Sequence, residues 1–450
     1  MKKNLFRSKT CIYLSVILTG LMFSGCDKGQ EQEQFYQIEP AMYQSEDTGV
    51  GETVNMTQGM TADGYESKTP SETDINKISL AGRDLFYEVV RGEEDDANVL
   101  LSPTSIDFAL AMTENGAAEN TLAQMEKYVN GGISLDCFNP VMKSFMERMG
   151  NSSYVTWNVA NSLWLKNDGD IRMQDEFLNN AVGYYDAEVY LAPFTDQTLR
   201  DINSWSSQKT NDMIPEILDY IDPQACLYLI NAISFDGEWD VAYEEDKIIE
   251  GGQFKGCDGT TSEVTFLSSE ENRYFRLGDG EGFIKPYKGG DYSFVGILPP
   301  EGVSCEDFIW DIENHNIDIA EAIRNAYDMK VYVKIPEFEQ DYDIELSRTY
   351  IRMGMTDPFD RINANFNNML SNEKGEAKDV YIGRVIHKTH IEVDRKGTRA
   401  AAETAVEMRV KGTAMVEEAE QITLDRPFVY AIVDSETGLP LFIGCQEHIH

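Results

Sequence analysis

The chain runs to 450 residues, with 38 Lys and Arg against 78 Asp and Glu and a formal charge of −40. Its first 25 residues hold four cations (Lys2, Lys3, Arg7, Lys9) and no anion, so the remainder stands at −44. A surface that acidic repels phosphate backbones, anionic membrane surfaces and heparin-like polyanions, and a 42% hydrophobic, 11% aromatic composition excludes global disorder.

The basic stretch Met1 to Thr10 precedes an apolar run, Cys11 to Phe23, and then Ser24-Gly25-Cys26. This is the layout of a secretion signal, and thirteen apolar-leaning residues are too few for an ordinary spanning helix. The run ending Phe-Ser-Gly-Cys resembles a bacterial lipoprotein signal. That resemblance implies removal of residues 1–25, acylation of Cys26, and a lipid anchor at the periplasmic face or cell surface of a bacterial membrane. The alternative is a cleaved signal that frees a soluble protein. Residues 26–70, rich in Glu, Gln, Gly and Thr without apolar periodicity, read as an acidic flexible tether. Beyond the signal, Cys137, Cys226, Cys257, Cys305 and Cys445 are odd in number and irregularly spaced. At least one thiol is therefore free in a monomer, and most read as buried and inert.

Residues 71–450 form the head. Ser71-Glu72-Thr73-Asp74 ahead of Ile75, Ile78, Leu85 and Val89, with Gly92 following, predicts a capped helix. A second helix opens at Ser102-Pro103, and residues 198–218 look helical with a break near Pro215. Strand-like runs cover 225–235, 292–298, 330–335, 384–393, 428–433 and 441–444, the last two flanking a hairpin turn at 435–438. Helices come early and strands late, so the fold class is α+β with mostly antiparallel sheets.

No motif of a known catalytic class is present: no Gly-x-Ser-x-Gly, no phosphate-binding Gly-x-x-x-x-Gly-Lys, no His-Glu-x-x-His. Five His and no Cys-x-x-Cys pair leave few options for zinc, and no cofactor or metal is expected. Spacing alone does not select a catalytic carboxylate pair from so many acids, so a hydrolase stays open only as a minor reading.

The segment from Thr398 to Lys411 is unusual. Thr398, Ala400, Ala402, Thr404, Val406, Met408 and Val410 are all small or apolar, and most of the alternate residues are charged. This is the period-two pattern of a half-buried strand. Yet it follows a complete strand and a turn at Lys396-Gly397, and leads into an exposed-looking stretch at 412–421. On pattern alone the segment fits an ordinary long edge strand; its setting also fits a loop or helix in one state and a half-buried strand in another.

Several runs then resemble serpins, in the right order across the whole head. They are 98–105 (NVLLSPTS), 159–164 (VANSLW), 202–205 onward to Asn211, 229–235 with Gly237-Glu238-Trp239, Ile335-Pro336-Glu337-Phe338, 387–402 and Asp425-Arg426-Pro427-Phe428. The resemblance implies the serpin fold: three β-sheets, eight to nine helices and an exposed reactive-centre loop, here about 395–424. It implies a protease inhibitor rather than an enzyme. A serine or cysteine protease attacks the loop, and the freed segment inserts into the central sheet and traps the acyl-enzyme. In the family the residue before the cut bond lies fourteen after the hinge glycine. From Gly397 that is Lys411, followed by Gly412, which suits a trypsin-like target; Arg409, Val410 and Met415 are the alternatives. Gly397, Thr398, Ala400, Ala401 and Ala402 match the hinge. Ser102, Ser105, Asn231 and His387 match the polar cluster that holds the central strands together, the shutter. Trp239 matches the breach, where the loop enters. None of the inserting residues is charged or Pro, which favours an active inhibitor over a non-inhibitory serpin-like surface binding or adhesion lipoprotein. The partners implied are a target protease in covalent complex and a membrane through the lipid anchor; the chain is expected to act as a monomer.

Overall fold

The computed structural model describes residues 51–94, 96–222, 225–376, 378, 380–398 and 419–449. Among them lie nine α-helices and three β-sheets of mixed α+β arrangement, as the sequence predicts. No helix of the described residues is long and apolar enough to cross a membrane.

Helix α1 (Glu72–Val90) starts where predicted, because Ser71 accepts the Asp74 N–H and Asp74 reaches back to the Ser71 N–H. Its buried face carries Ile75, Ile78, Leu85 and Val89. Helix α2 (Pro103–Glu114) begins with Pro at its first position and is buried along its whole length. Helix α3 (Asp196–Lys209) ends well before the expected break at Pro215. Asn211 and Asp212 take left-handed φ angles of 51° and 62°, and Asn203 Oδ1 then accepts the Ile217 and Leu218 N–H groups, both at 3.0 Å. A side chain has replaced the helix ladder as partner for that backbone.

The central sheet has seven strands. In chain order they are β1 (Val54–Asn55), β2 (Val155–Lys166), β3 (Glu188–Ala192), β4 (Leu227–Glu238), β5 (Phe338–Glu345), β6 (Arg384–Val393) and β7 (Gly397–Thr398). Their spatial order is β1-β3-β2-β4-β7-β6-β5. The second sheet has nine strands, eight along one path and Ile248–Lys255 paired beside it, and includes the hairpin Phe428–Asp434 and Pro440–Gln446; a two-stranded sheet completes the set. Strand alternation divides the core. Leu163, Leu165 and Leu229 pack in the main cluster with Phe108 and Leu110 of α2. Trp164, Tyr228 and Ile230 pack with Ile202 and Trp205 of α3 on the opposite face.

One expected boundary moves. Residues 51–70, read as the end of the tether, pack against the head. Val54 and Asn55 pair antiparallel with Leu191 and Tyr190 of β3, and Thr53 Oγ1 donates to Asp201 Oδ2 at 2.6 Å. The Tyr65 ring stands edge-on to Tyr184 at 4.8 Å. It also fills the space a side chain at Gly183 would need. Backbone pairing, the Tyr65 ring and the scattered contacts of Met56 and Met60 hold this segment, without an apolar periodicity for a sequence reading to detect.

Candidate functional site

The central sheet contains a cleft between β4 and β6. These strands run parallel and pair from Tyr228–Arg384 to Ala232–Lys388. At their far ends β7 lies between them: Gly397 pairs with Glu238, and Thr398 pairs with Gly237 on one side and Val393 on the other. One end of the cleft is closed by direct pairing, and the other holds the start of an additional strand.

The closed end brings together all four residues expected there. Asn231 and His387 are paired across β4 and β6. The Ser102 N–H donates to His387 Nε2 at 3.0 Å, and Ser102 Oγ donates to the Leu441 carbonyl at 2.6 Å. Ser105 Oγ donates to Asn231 Oδ1. His387 is buried, and its Nδ1 has no partner. Desolvation pushes the imidazole down to about 3. The ring is thus neutral, with Nε2 accepting and the proton on Nδ1. Two residues without an expected role complete the group. Asn161 Oδ1 on β2 accepts from Asn231 Nδ2 at 2.8 Å, and Thr389 Oγ1 on β6 donates to the Leu100 carbonyl at 3.0 Å. Thr389 is an inward-facing polar residue on a predicted strand, which is the signal that marks it; Asn161 lies on strand 155–166, which the strand reading did not include.

The open end is built around Trp239. Its N–H donates to the Lys396 carbonyl at 3.0 Å, and its Nε1 to the Asp394 carbonyl at 2.9 Å, so it fixes the turn into β7. Its ring stacks on Tyr287, with centroids 4.8 Å apart and planes 8° apart. Tyr287, fully buried, shares a hydrogen bond of 2.6 Å with Thr398 Oγ1, and burial holds its phenol well above the ordinary value. Lys285 Nζ sits 5.2 Å from the Trp239 ring and 3.0 Å from Glu271 Oε1. Burial alone lowers a lysine, but Tyr243 and Glu271 more than offset it and raise the ammonium above its usual range. None of Tyr287, Lys285 and Glu271 is adjacent to Trp239 in sequence.

Gly397 has a specific steric reason. A β-carbon there would sit 2.0 Å from the Gly237 carbonyl oxygen, so no other residue enters this slot without displacing backbone. Arg395, just before it, pairs through Nε with Glu337 Oε1 at 3.2 Å and anchors the turn to the start of β5. Cys26, Ala400, Ala401, Ala402, Lys411 and Gly412 lie outside the described residues.

Comparison with known proteins agrees with this geometry. The chain matches the family described as Serpin (serine protease inhibitor) over residues 79–448. An uncharacterized serpin-like protein of Methanosarcina acetivorans is 30% identical over 408 residues, covering 85% of this chain and 91% of the relative. Leukocyte elastase inhibitor A of Rattus norvegicus is 27% identical over 386 residues, covering 81% and 97%. Among solved structures, the native state of the thermophilic serpin tengpin superposes with a TM-score of 0.80 at 36% identity, covering 89% of this chain and all of that one. The latent state of tengpin gives 0.72 at 34% identity, over 86% of this chain and all of that one. A cleft closed by Asn231 and His387, entered by Gly397, and matched over nearly the whole head means that this chain belongs to the serpin family.

Proposed function

We propose that this serpin is an irreversible suicide-substrate inhibitor of serine proteases, reaching cysteine proteases as well, with a trypsin-like target. The observation that carries the reading is β7: the two residues at the head of the loop already pair with both walls of the cleft. The protease nucleophile attacks the Lys411 carbonyl carbon, the bond to the Gly412 nitrogen breaks, and the new amine takes the proton. An acyl-enzyme remains. The freed segment then extends β7 along the cleft as the shutter parts. About ten further ladder hydrogen bonds, each worth about 0.5–1.5 kcal/mol net, would drive that step. The uncut fold is kinetically trapped in this reading. The name of the rat relative speaks of inhibition of an elastase, which supports the reaction class and not the specificity for Lys.

We also propose that Cys26 carries a lipid anchor, so that inhibition takes place at a bacterial membrane surface, and that no polyanionic activator is involved. The test is incubation with a panel of serine and cysteine proteases, read by denaturing gel and intact mass. The expected result is a denaturant-stable complex with a trypsin-like enzyme and a released fragment beginning at Gly412. Cleavage with no complex and no gain in thermal stability would falsify the inhibitor reading and favour a non-inhibitory binding role.

A further inference from the structure

We propose that Glu339, Asp341 and His390 form a binding site for a divalent transition-metal ion of the zinc class, on the exposed face of the central sheet. The ligands come from two strands about fifty residues apart, so no short motif announces them. β5 and β6 pair antiparallel with Asp341 opposite His390 and Glu339 opposite Glu392. Residues two apart on a strand share a face, so the four side chains stand as a square fixed by backbone register. One donor atom from each of Glu339, Asp341 and His390 lies within 4.8 Å of the others. Small rotamer changes bring such a set to the roughly 2.0–2.2 Å that zinc takes from nitrogen and carboxylate oxygen.

The imidazole distinguishes this cluster from the acidic surface around it. His390 keeps only 13% of its side-chain surface exposed, and its Nδ1 lies 2.9 Å from Asp341 Oδ1. Glu339 and Asp341 are open to solvent, which gives an ion its path. On the same strand and the turn after it, Lys388 Nζ donates to the Glu216 carbonyl at 2.9 Å and Arg395 pairs with Glu337. Three carboxylates, those of Glu339, Asp341 and Glu392, therefore face one imidazole, and a divalent cation relieves their repulsion. A ring nitrogen with carboxylates suits zinc, cobalt or nickel better than magnesium or calcium. Glu392 supplies a fourth donor, or water fills that position. The bound ion fastens β5 to β6, one wall of the cleft, on the face opposite His387. The site does not depend on the inhibitor reading.

The test uses the full chain, stripped with a chelator and titrated calorimetrically with zinc chloride, with cobalt chloride as a visible-absorption probe. The expected result is saturable binding of about one ion, and a rise in the thermal midpoint with zinc. His390→Gln and Glu339→Gln should each weaken binding by tenfold or more and remove most of the rise in thermal midpoint that zinc produces. The proposal is overturned if zinc does not bind saturably. It is equally overturned if binding is unchanged in both variants, as it would be were zinc held by Cys257 and His448, whose Sγ and Nε2 lie 3.2 Å apart. Calcium binding as tight as zinc and indifferent to His390→Gln, the behaviour of a diffuse acidic face, also overturns it.

Discussion

The hydroxyl of Thr398 lies 2.6 Å from the hydroxyl of Tyr287, and both groups are buried. Through Tyr287, stacked on Trp239, the first two residues of the loop are latched into the sheet before any cut is made. Thr398→Arg puts a cation into a buried position, where an uncompensated charge costs several kcal/mol. The variant is expected to be cleaved by its target at a normal rate yet to yield substrate turnover in place of covalent complex. The ratio of complex to cleaved product on a denaturing gel measures this, and an unchanged ratio would contradict insertion by this route.

His387 makes acid stability specific. Its imidazole is neutral when folded down to about pH 3, whereas an unfolded histidine takes its proton near 6.5. Between those values the unfolded state binds more protons, so stability falls as pH falls, by at most about 1.4 kcal/mol per pH unit from this group. His387→Gln keeps an acceptor for the Ser102 N–H and should flatten the dependence between pH 6.5 and 4. Denaturant midpoints across that range, compared between the two proteins, decide it.

Glu114 acts in the opposite direction. It is buried in α2, desolvation raises its pKa well above the usual carboxylate range, and Asn130 Nδ2 donates to its Oε1 at 2.9 Å. The remaining oxygens, Glu114 Oε2 and Asn130 Oδ1, are both buried without partners. A proton on Oε2 gives this pair a donor. The folded state thus holds a proton that the unfolded state releases above about pH 4.5, and stability is lost as pH rises from there toward the folded pKa. Glu114→Gln should stabilise the protein by about 1–3 kcal/mol at pH 8 and by little at pH 4. Equal effects at both values would show that Glu114 is ionised in the fold.

Extending the Thr398 register along the loop sequence brings its charges to matching positions in the inserted strand. Pairing with Val393 and Gly237 sets Arg399 between Glu392 and Asp236, Glu403 beside Lys388, and Glu407 beside Arg384. Cross-strand charge pairs are worth about 0.2–1 kcal/mol each. Lys388→Glu is therefore expected to lower the stability of the cleaved form, and adding Glu403→Lys to restore it. A double-mutant cycle on denaturant midpoints of cleaved protein reads the coupling, and a coupling near zero would rule out this register.

Much of the site was legible because its parts are local. The shutter residues sit in runs whose strand or helix character follows from alternation or capping, and strands 292–298 and 384–393 appear with the predicted ends. The strand start at Gly397-Thr398 was legible because a strand pattern follows a turn where no strand was needed. What escaped is what only the fold brings together. Tyr287 and Lys285 meet Trp239 by a tertiary approach that no spacing encodes, and α3 stops early because Asn203 captures backbone from another turn. Residues 51–70 look like linker by composition, yet edge pairing requires backbone groups and no particular side chains.

That edge pairing has a consequence for crowded solutions. A sheet with two free margins is exposed to strangers there. On one margin, Val54 and Asn55 already occupy part of the hydrogen-bonding row of β3. On the other, β5 presents Glu339, Asp341 and Asp343, a fringe of like charge that turns away an incoming strand of the same acidic protein. The molecule guards its two flanks by different means, one by occupancy and one by repulsion.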